Sequence, residues 1–145
     1  MANMTETQSL ANSLIRTHGL VGWRFKWDGA RKRGGLCNHT HQHISMSRYL
    51  VPMWEDEAVK QILFHEVAHA IVGPGHGHDS VWLAQARALG YYGGRTHSEP
   101  TVAGQWVAVC PTHGRGTRRY HRRRNLMCGR CYKQGIVNKL TYAQA

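Results

Sequence analysis

The stretch Ile62-Leu63-Phe64-His65-Glu66-Val67-Ala68-His69-Ala70-Ile71-Val72 constrains this chain more than any other. It has no internal Gly or Pro, its β-branched residues are scattered, and Gly73-Pro74 stops it, so it reads as a helix. Positions four apart on a helix lie about 5–6 Å apart on one face. His65 and His69 can therefore offer both imidazoles to one metal ion. Glu66, one step round the helix, suits a group that touches a metal-activated water rather than the metal.

A catalytic zinc usually takes three protein ligands and keeps one position open. The loop Gly73-Pro74-Gly75-His76-Gly77-His78 holds two candidates for the third ligand, and its glycines let it fold back toward the helix. Asp79-Ser80 then supplies an N-cap for a second helix, Val81 to Leu89, ended by Gly90. Trp82, Ala86 and Leu89 recur along it at helical spacing. A histidine fixed at a helix start is better positioned than one in mid-loop, which favours His78 over His76.

HEVAHA, a Gly-rich loop, and then His78 with Trp82 four residues on resemble the SprT-like (Spartan-type) zinc metallopeptidases. That family usually has Gly directly after the third His, where this chain has Asp79. The likeness extends to the upstream strands and the C-terminal cysteine pairs. It implies zinc-dependent peptide hydrolysis, with proteins bound or crosslinked to DNA as the substrate class.

Upstream, Met4 to Thr17 is an amphipathic helix with Leu10, Leu14 and Ile15 inward and Thr5 or Thr7 near its start. Gly22 to Asp28 alternates aromatic and basic residues, the period of a half-buried strand. Arg31-Lys32-Arg33-Gly34-Gly35 reads as a basic, flexible loop, and Leu36-Cys37 starts a returning strand. Cys37 reads as a small core residue, since no partner is evident nearby. His39, His41 and His43 would share a face if extended and could then bind metal; a polar turn is the preferred reading. Ile44 to Ser47 is a strand, and in zincins such a strand aligns extended substrate. Pro52 to Glu57 is expected to begin the metal helix, with Glu55, Asp56 and Glu57 complementing its dipole. Val59, Leu63, Val67 and Ala70 line one side of it.

Gly90 to Pro100 looks like a linker. Gln105 to Cys110 is a strand that runs into Cys110-Pro111-Thr112-His113, and Cys128-Gly129-Arg130-Cys131 forms a second two-ligand turn. This is zinc-ribbon spacing, and Cys110, His113, Cys128 and Cys131 would close a tetrahedral structural site, with His121 as a substitute for His113. A basic segment with little apolar content needs such a staple. Residues 100–145 carry nine of the 19 Lys/Arg and none of the eight Asp/Glu. Arg115, Arg118, Arg119, Arg122, Arg123 and Arg124, interleaved with Tyr120 and His121, suit phosphate contacts and base stacking.

The expected fold class is therefore α+β. A small zincin-like domain (N-terminal helix, about three strands, metal helix, following helix) occupies 1–99, and a basic zinc ribbon occupies 100–145. The expected cofactors are two zinc ions, one catalytic and one structural. The expected partners are a protein substrate and DNA, with no membrane, because no apolar run approaches the roughly 20 residues of a span. The polar N-terminus and metal-spaced cysteines point to a cytoplasmic location rather than export. Two rival classes are a non-enzymatic nucleic-acid-binding zinc protein, against which the intact Glu66 argues, and a metal-dependent hydrolase acting on something other than peptide. The second electrophilic donor of a peptidase is left open between Tyr91 and His76.

Overall fold

The computed structural model describes residues 1–94, 104–119 and 121–145. The chain divides into two units, Met1–Val102 and Ala103–Ala145. The expected boundary at 99/100 and much of the expected linker lie outside the described residues, as does Tyr120.

In the first unit, α1 (Met4–Thr17) is capped by Asn3 rather than Thr5 or Thr7. The Asn3 carboxamide oxygen accepts the Glu6 N–H at 3.1 Å. Its buried stripe is Thr7, Ala11 and Ile15, with Leu10 and Leu14 half-buried against the same core. Three strands follow: β1 (Arg24–Asp28), β2 (Gly35–Asn38) and β3 (His43–Ser47). Their order is β1-β3-β2, with β3 parallel to β1 and antiparallel to β2. β3 is thus the central strand, and all five of its residues are buried.

The loop before β2 is pinned rather than free. Asp28 accepts the Ala30 N–H at 2.9 Å, the Ser45 hydroxyl at 2.7 Å and the Arg33 guanidinium at 2.9 Å. Burial opposes ionisation of Asp28, but these hydrogen bonds and the Arg33 charge outweigh it and hold the carboxyl below its ordinary value.

A short 3-10 turn, Val51–Met53, takes up Pro52, so α2 begins at Asp56 and runs to Val72. The proline fits the tight turn, where its missing N–H costs nothing. Asp56 and Glu57 then fill the first helical turn, as the dipole favours. Val59, Leu63, Val67 and Ala70 are buried as expected, but so are Ile62, His65, Glu66 and Ala68. A helix covered on most faces is a core element, and α2 is covered by α1, β2, β3 and α3. Gly73 ends it at φ +90°, a conformation a side chain would resist. α3 (Ser80–Leu89) is capped by Asp79, whose carboxylate accepts the Trp82 N–H at 3.0 Å, and it closes at Gly90.

In the second unit, β4 (Trp106–Cys110) lies between β5 (Gly114–Arg119) and β6 (Thr141–Gln144), antiparallel to both. A short helix, α4 (Gly129–Lys133), follows Cys128. The buried cluster here is Cys110, Cys128 and Cys131 with Leu140 against it. So little apolar burial cannot offset chain entropy without a staple. Among the described residues, no helix of either unit is long and apolar enough to cross a membrane.

Candidate metal centres

α2 projects His65 and His69 from successive turns, and the Gly-rich loop returns His78 to them. One nitrogen from each of the three imidazoles lies within 4.8 Å of the others. His65 Nε2 and His78 Nε2 are 2.9 Å apart. Nitrogens about 2.0–2.1 Å from a shared zinc lie about 3.4 Å apart in a tetrahedron, so the His65–His78 pair would open by about half an ångström to hold one. Trp82 forms one wall. Its ring lies 4.6 Å from His65, 5.2 Å from His69 and 4.7 Å from His78, and its indole N–H donates to the His65 carbonyl at 3.2 Å.

His76 does not join this group. Its Nδ1 is 3.0 Å from the Asp79 carboxylate. The residue that stands where Gly was expected therefore caps α3 and engages His76, while His78 is left to face His65 and His69.

The electrostatics suit a metal with a neighbouring base. Burial, then His78 and His39, depress the His69 imidazole to about 4, which keeps its lone pair free of a proton at neutral pH. Glu66 is 7% exposed. Burial pushes its carboxyl up to about 7, against the opposing pull of Arg33 and a hydrogen bond from the Cys37 N–H. β2 approaches Glu66 so closely because Gly35 has no side chain: a Cβ there would lie 2.8 Å from Glu66 Cγ. Cys37 itself is half-buried, and burial with the Glu66 charge pushes its thiol up to about 12, in keeping with a core residue rather than a nucleophile.

Tyr91 was expected in a linker. It is instead 3% exposed, packed with Trp82 and Ala68, its ring 5.5 Å from His65. Gln61 fixes this segment by donating to the Gly90 carbonyl at 3.1 Å and accepting the Tyr92 N–H at 2.9 Å. Nothing local in a Gly-Tyr-Tyr-Gly-Gly run signals such burial. Of the three upstream histidines, His39 and His41 lie in the β2–β3 turn, whereas His43 begins β3 and is buried. None belongs to the His65 cluster.

The second unit holds the other cluster. Cys110, His113, Cys128 and Cys131 each offer a donor within 4.8 Å of the rest. His113 Nδ1 is 3.6, 3.5 and 3.3 Å from the sulfurs of Cys110, Cys128 and Cys131, and the Cys110 and Cys131 sulfurs are 3.6 Å apart. The edges of a tetrahedral Cys3His zinc site are about 3.5 Å (N to S) and about 3.8 Å (S to S). The donors already stand at that spacing and leave no open position, and His121 is outside the group.

Around it, Arg115, Arg118, Arg119, Arg122, Arg123 and Arg124 are exposed. Arg122 stacks over Trp106, 4.3 Å from the ring centre. A cleft of about 520 Å³ is lined by Arg115, Arg119 and Arg123 together with Arg130 and Lys133. The last two come from α4 and were not singled out in the sequence, because they lie past the arginine run.

A scan of protein-family profiles matches residues 5–103 to the SprT-like family. The chain belongs to the SprT-like family. Its members are metallopeptidase-like, and the matched span contains every residue of the three-histidine cluster, Glu66 and Trp82. A search among individually curated proteins finds no match. Within the SprT-like unit, α2 carries His65 and His69, and the loop between its Gly73 stop and the Asp79 cap of α3 carries His78.

Proposed function

We propose that the SprT-like unit is a zinc-dependent endopeptidase, with His65, His69 and His78 as metal ligands and Glu66 as the catalytic acid/base. The observation that carries this reading is the convergence of three imidazoles beside a buried carboxyl raised to about 7. A zinc held there would supply a Lewis acid and a water of lowered pKa, with one coordination position left open. A carboxyl that titrates near neutrality can take a proton from the attacking water and return it to the leaving amine. A purely structural site has no use for such a group.

The strand that aligns substrate is not β3, which has strand neighbours on both sides. β1 and β2 are both edge strands, but β2 is the one beside Glu66, and the Cys37 N–H that reaches Glu66 leaves from the edge that β3 does not use. An extended peptide laid along that edge would pass Glu66.

The second unit would hold a structural zinc at Cys110, His113, Cys128 and Cys131 and present Arg115, Arg118, Arg119, Arg122, Arg123 and Arg124 to nucleic acid. Support comes from the cleft lined by five cations in a unit with no acidic residue. The substrates would then be proteins bound or crosslinked to DNA, concentrated with the enzyme on one polymer. The test is degradation of casein and of a DNA-bound protein by the purified full chain, with and without DNA, beside Glu66→Gln. Equal degradation by wild type and Glu66→Gln at equal zinc content would refute the reading. A DNA affinity that does not weaken with salt, by a log–log slope of about −0.7 to −0.9 per phosphate, would refute the role of the ribbon.

A further inference from the structure

The positive charge of the first unit is gathered in one region. Of the nine Lys/Arg in residues 1–94, six lie between Arg24 and Arg48, and of the seven Asp/Glu only Asp28 does. Asp28 is already engaged by Arg33 at 2.9 Å. Arg24, Lys26, Arg31 and Arg48 are all exposed, and among the described residues none of them forms an ion pair.

The strand register sets where the first two point. Phe25 and Trp27 pack, with their register partners Ile44 and Met46, into the core shared with α1 and α2. Successive side chains of a strand alternate between faces, so Arg24, Lys26 and Asp28 stand on the face turned away from that core. The Ser45 hydroxyl, on the register partner of Lys26, accordingly donates to Asp28.

At the end of β1 two turns are fastened together. The Arg48 N–H donates to the Asp28 carbonyl at 3.0 Å, and the Ser47 hydroxyl donates to the Ala30 carbonyl while accepting the Tyr49 N–H at 3.2 Å. Arg31 is thereby held over the Tyr49 ring, 4.3 Å from its centre. The Arg48 guanidinium is 5.1 Å from the same centre, and its Nη2 is 3.3 Å from the Tyr49 hydroxyl. The two guanidiniums are therefore no further apart than the sum of their distances to the ring. They repel each other, and a phosphate bound by both would relieve that repulsion, each guanidinium offering a planar fork to its oxygens.

Edge strands often carry charge to block pairing with another sheet. That accounts for Arg24 and Lys26 on β1 but not for two guanidiniums gathered on one tyrosine. From Arg24 to Asp28 the strand advances about 13 Å. At about 3.4 Å per phosphate that length covers about four phosphates of one nucleic-acid strand. A line of cations suits a polymer of phosphates better than a single headgroup.

We propose that the SprT-like unit has a nucleic-acid-binding surface of its own, in which Arg24, Lys26, Arg31 and Arg48 contact the phosphate backbone. This surface is distinct from the arginines of the ribbon, and it stands whether or not the unit is a peptidase.

The test uses zinc-loaded full chains and the fluorescence anisotropy of labelled DNA, single-stranded and duplex, of about 20 nucleotides or base pairs, between about 50 and 200 mM salt. The first chain has Arg118, Arg119, Arg122, Arg123 and Arg124 changed to Ala. The second adds Arg24→Ala, Lys26→Ala, Arg31→Ala and Arg48→Ala. The third adds Arg24→Lys, Arg31→Lys and Arg48→Lys instead. The first chain should still bind DNA, less tightly as salt rises. In the second, the log–log slope should shrink by about 3, for four contacts at about 0.7–0.9 each. The third keeps every charge and should keep most of the slope. Loss of DNA binding in the first chain would overturn the proposal and leave the reading of the ribbon intact. An unchanged slope in the second would also overturn it. So would an equal loss in the third, which would assign these residues to the fold rather than to phosphate. Binding to phosphatidylserine vesicles that falls in the second chain, while its DNA binding does not, would overturn it in favour of a lipid surface.

Discussion

Adding one methyl group at Gly35 should separate the position of the base from the stability of the fold. A Cβ at Gly35 would lie 2.8 Å from Glu66 Cγ and 2.9 Å from Ile62 Cγ2. Carbon atoms rest comfortably at about 3.5–4.0 Å, so the overlap is about 0.7 Å on each. Overpacking of this kind costs about 1–3 kcal/mol. For a unit of this size that is about 4–8 °C of Tm per kcal/mol. Gly34 provides the control. A Cβ there would meet two Trp54 ring atoms at 2.6 Å and Ile62 at 3.0 Å, with no Glu66 atom among its three nearest neighbours. Gly34→Ala should therefore destabilise at least as much as Gly35→Ala. Only Gly35→Ala pushes the carboxyl, and a displacement approaching 1 Å costs up to about 10²-fold in rate. Thermal melts of both variants, beside casein turnover per folded molecule well below Tm, measure the two effects separately. Full turnover in Gly35→Ala, or equal loss of turnover in Gly34→Ala, would refute the claim that this contact sets the base.

Three further outcomes are expected. His78→Ala should lose the zinc of the SprT-like unit, whereas His76→Ala should retain it and lose only the Asp79 contact; the reverse, by elemental analysis, would move the third ligand to His76. In metal-free protein the raised Glu66 pKa makes the neutral carboxyl the stabilising form. That stability is full below the unfolded value of 4.5 and is lost as pH rises through about 7. Glu66→Gln should then gain up to about 3 kcal/mol over wild type by pH 8 and nothing below pH 4.5, as denaturant melts across that range would record. Cys128→Ser should remove one of two zinc ions per chain and unfold the ribbon while leaving the helical signal of the first unit, because its buried cluster is the ligand set itself; a ribbon that stays folded without metal would contradict this.

Local chemistry was legible in the sequence wherever it is set by neighbours in the chain. The helix carrying His65 and His69, the Gly73 stop, the Asp79 cap and both two-ligand turns are all short-range patterns. What did not show is what distant residues decide. Nothing in β1 or β3 says that they pair in parallel and leave β2 at the edge, because strand order is fixed by which faces α2 must cover. Gly34 and Gly35 looked like loop flexibility, yet their missing side chains let β2 press on Trp54, Ile62 and Glu66. Tyr91 sat among glycines and gave no periodicity, so its burial beside His65 had no local signal. Asn3 caps α1 from outside the amphipathic pattern that marked the helix. Pro52 suggested a helix start, and the chain spends it on a separate turn just before one.

The wall formed by Trp82 gives the first unit an optical property. One fully buried indole touches all three imidazoles of the cluster and hydrogen-bonds the backbone of His65. Indole emission responds to the charge and rigidity of the groups packed on it. Filling or emptying the cluster must therefore alter the light from Trp82. The second unit has one tryptophan, Trp106, which lies under Arg122 rather than against a ligand. The two centres consequently carry separate gauges in their natural residues: Trp82 reads the histidine cluster from inside its wall, and Trp106 reads the basic surface of the ribbon.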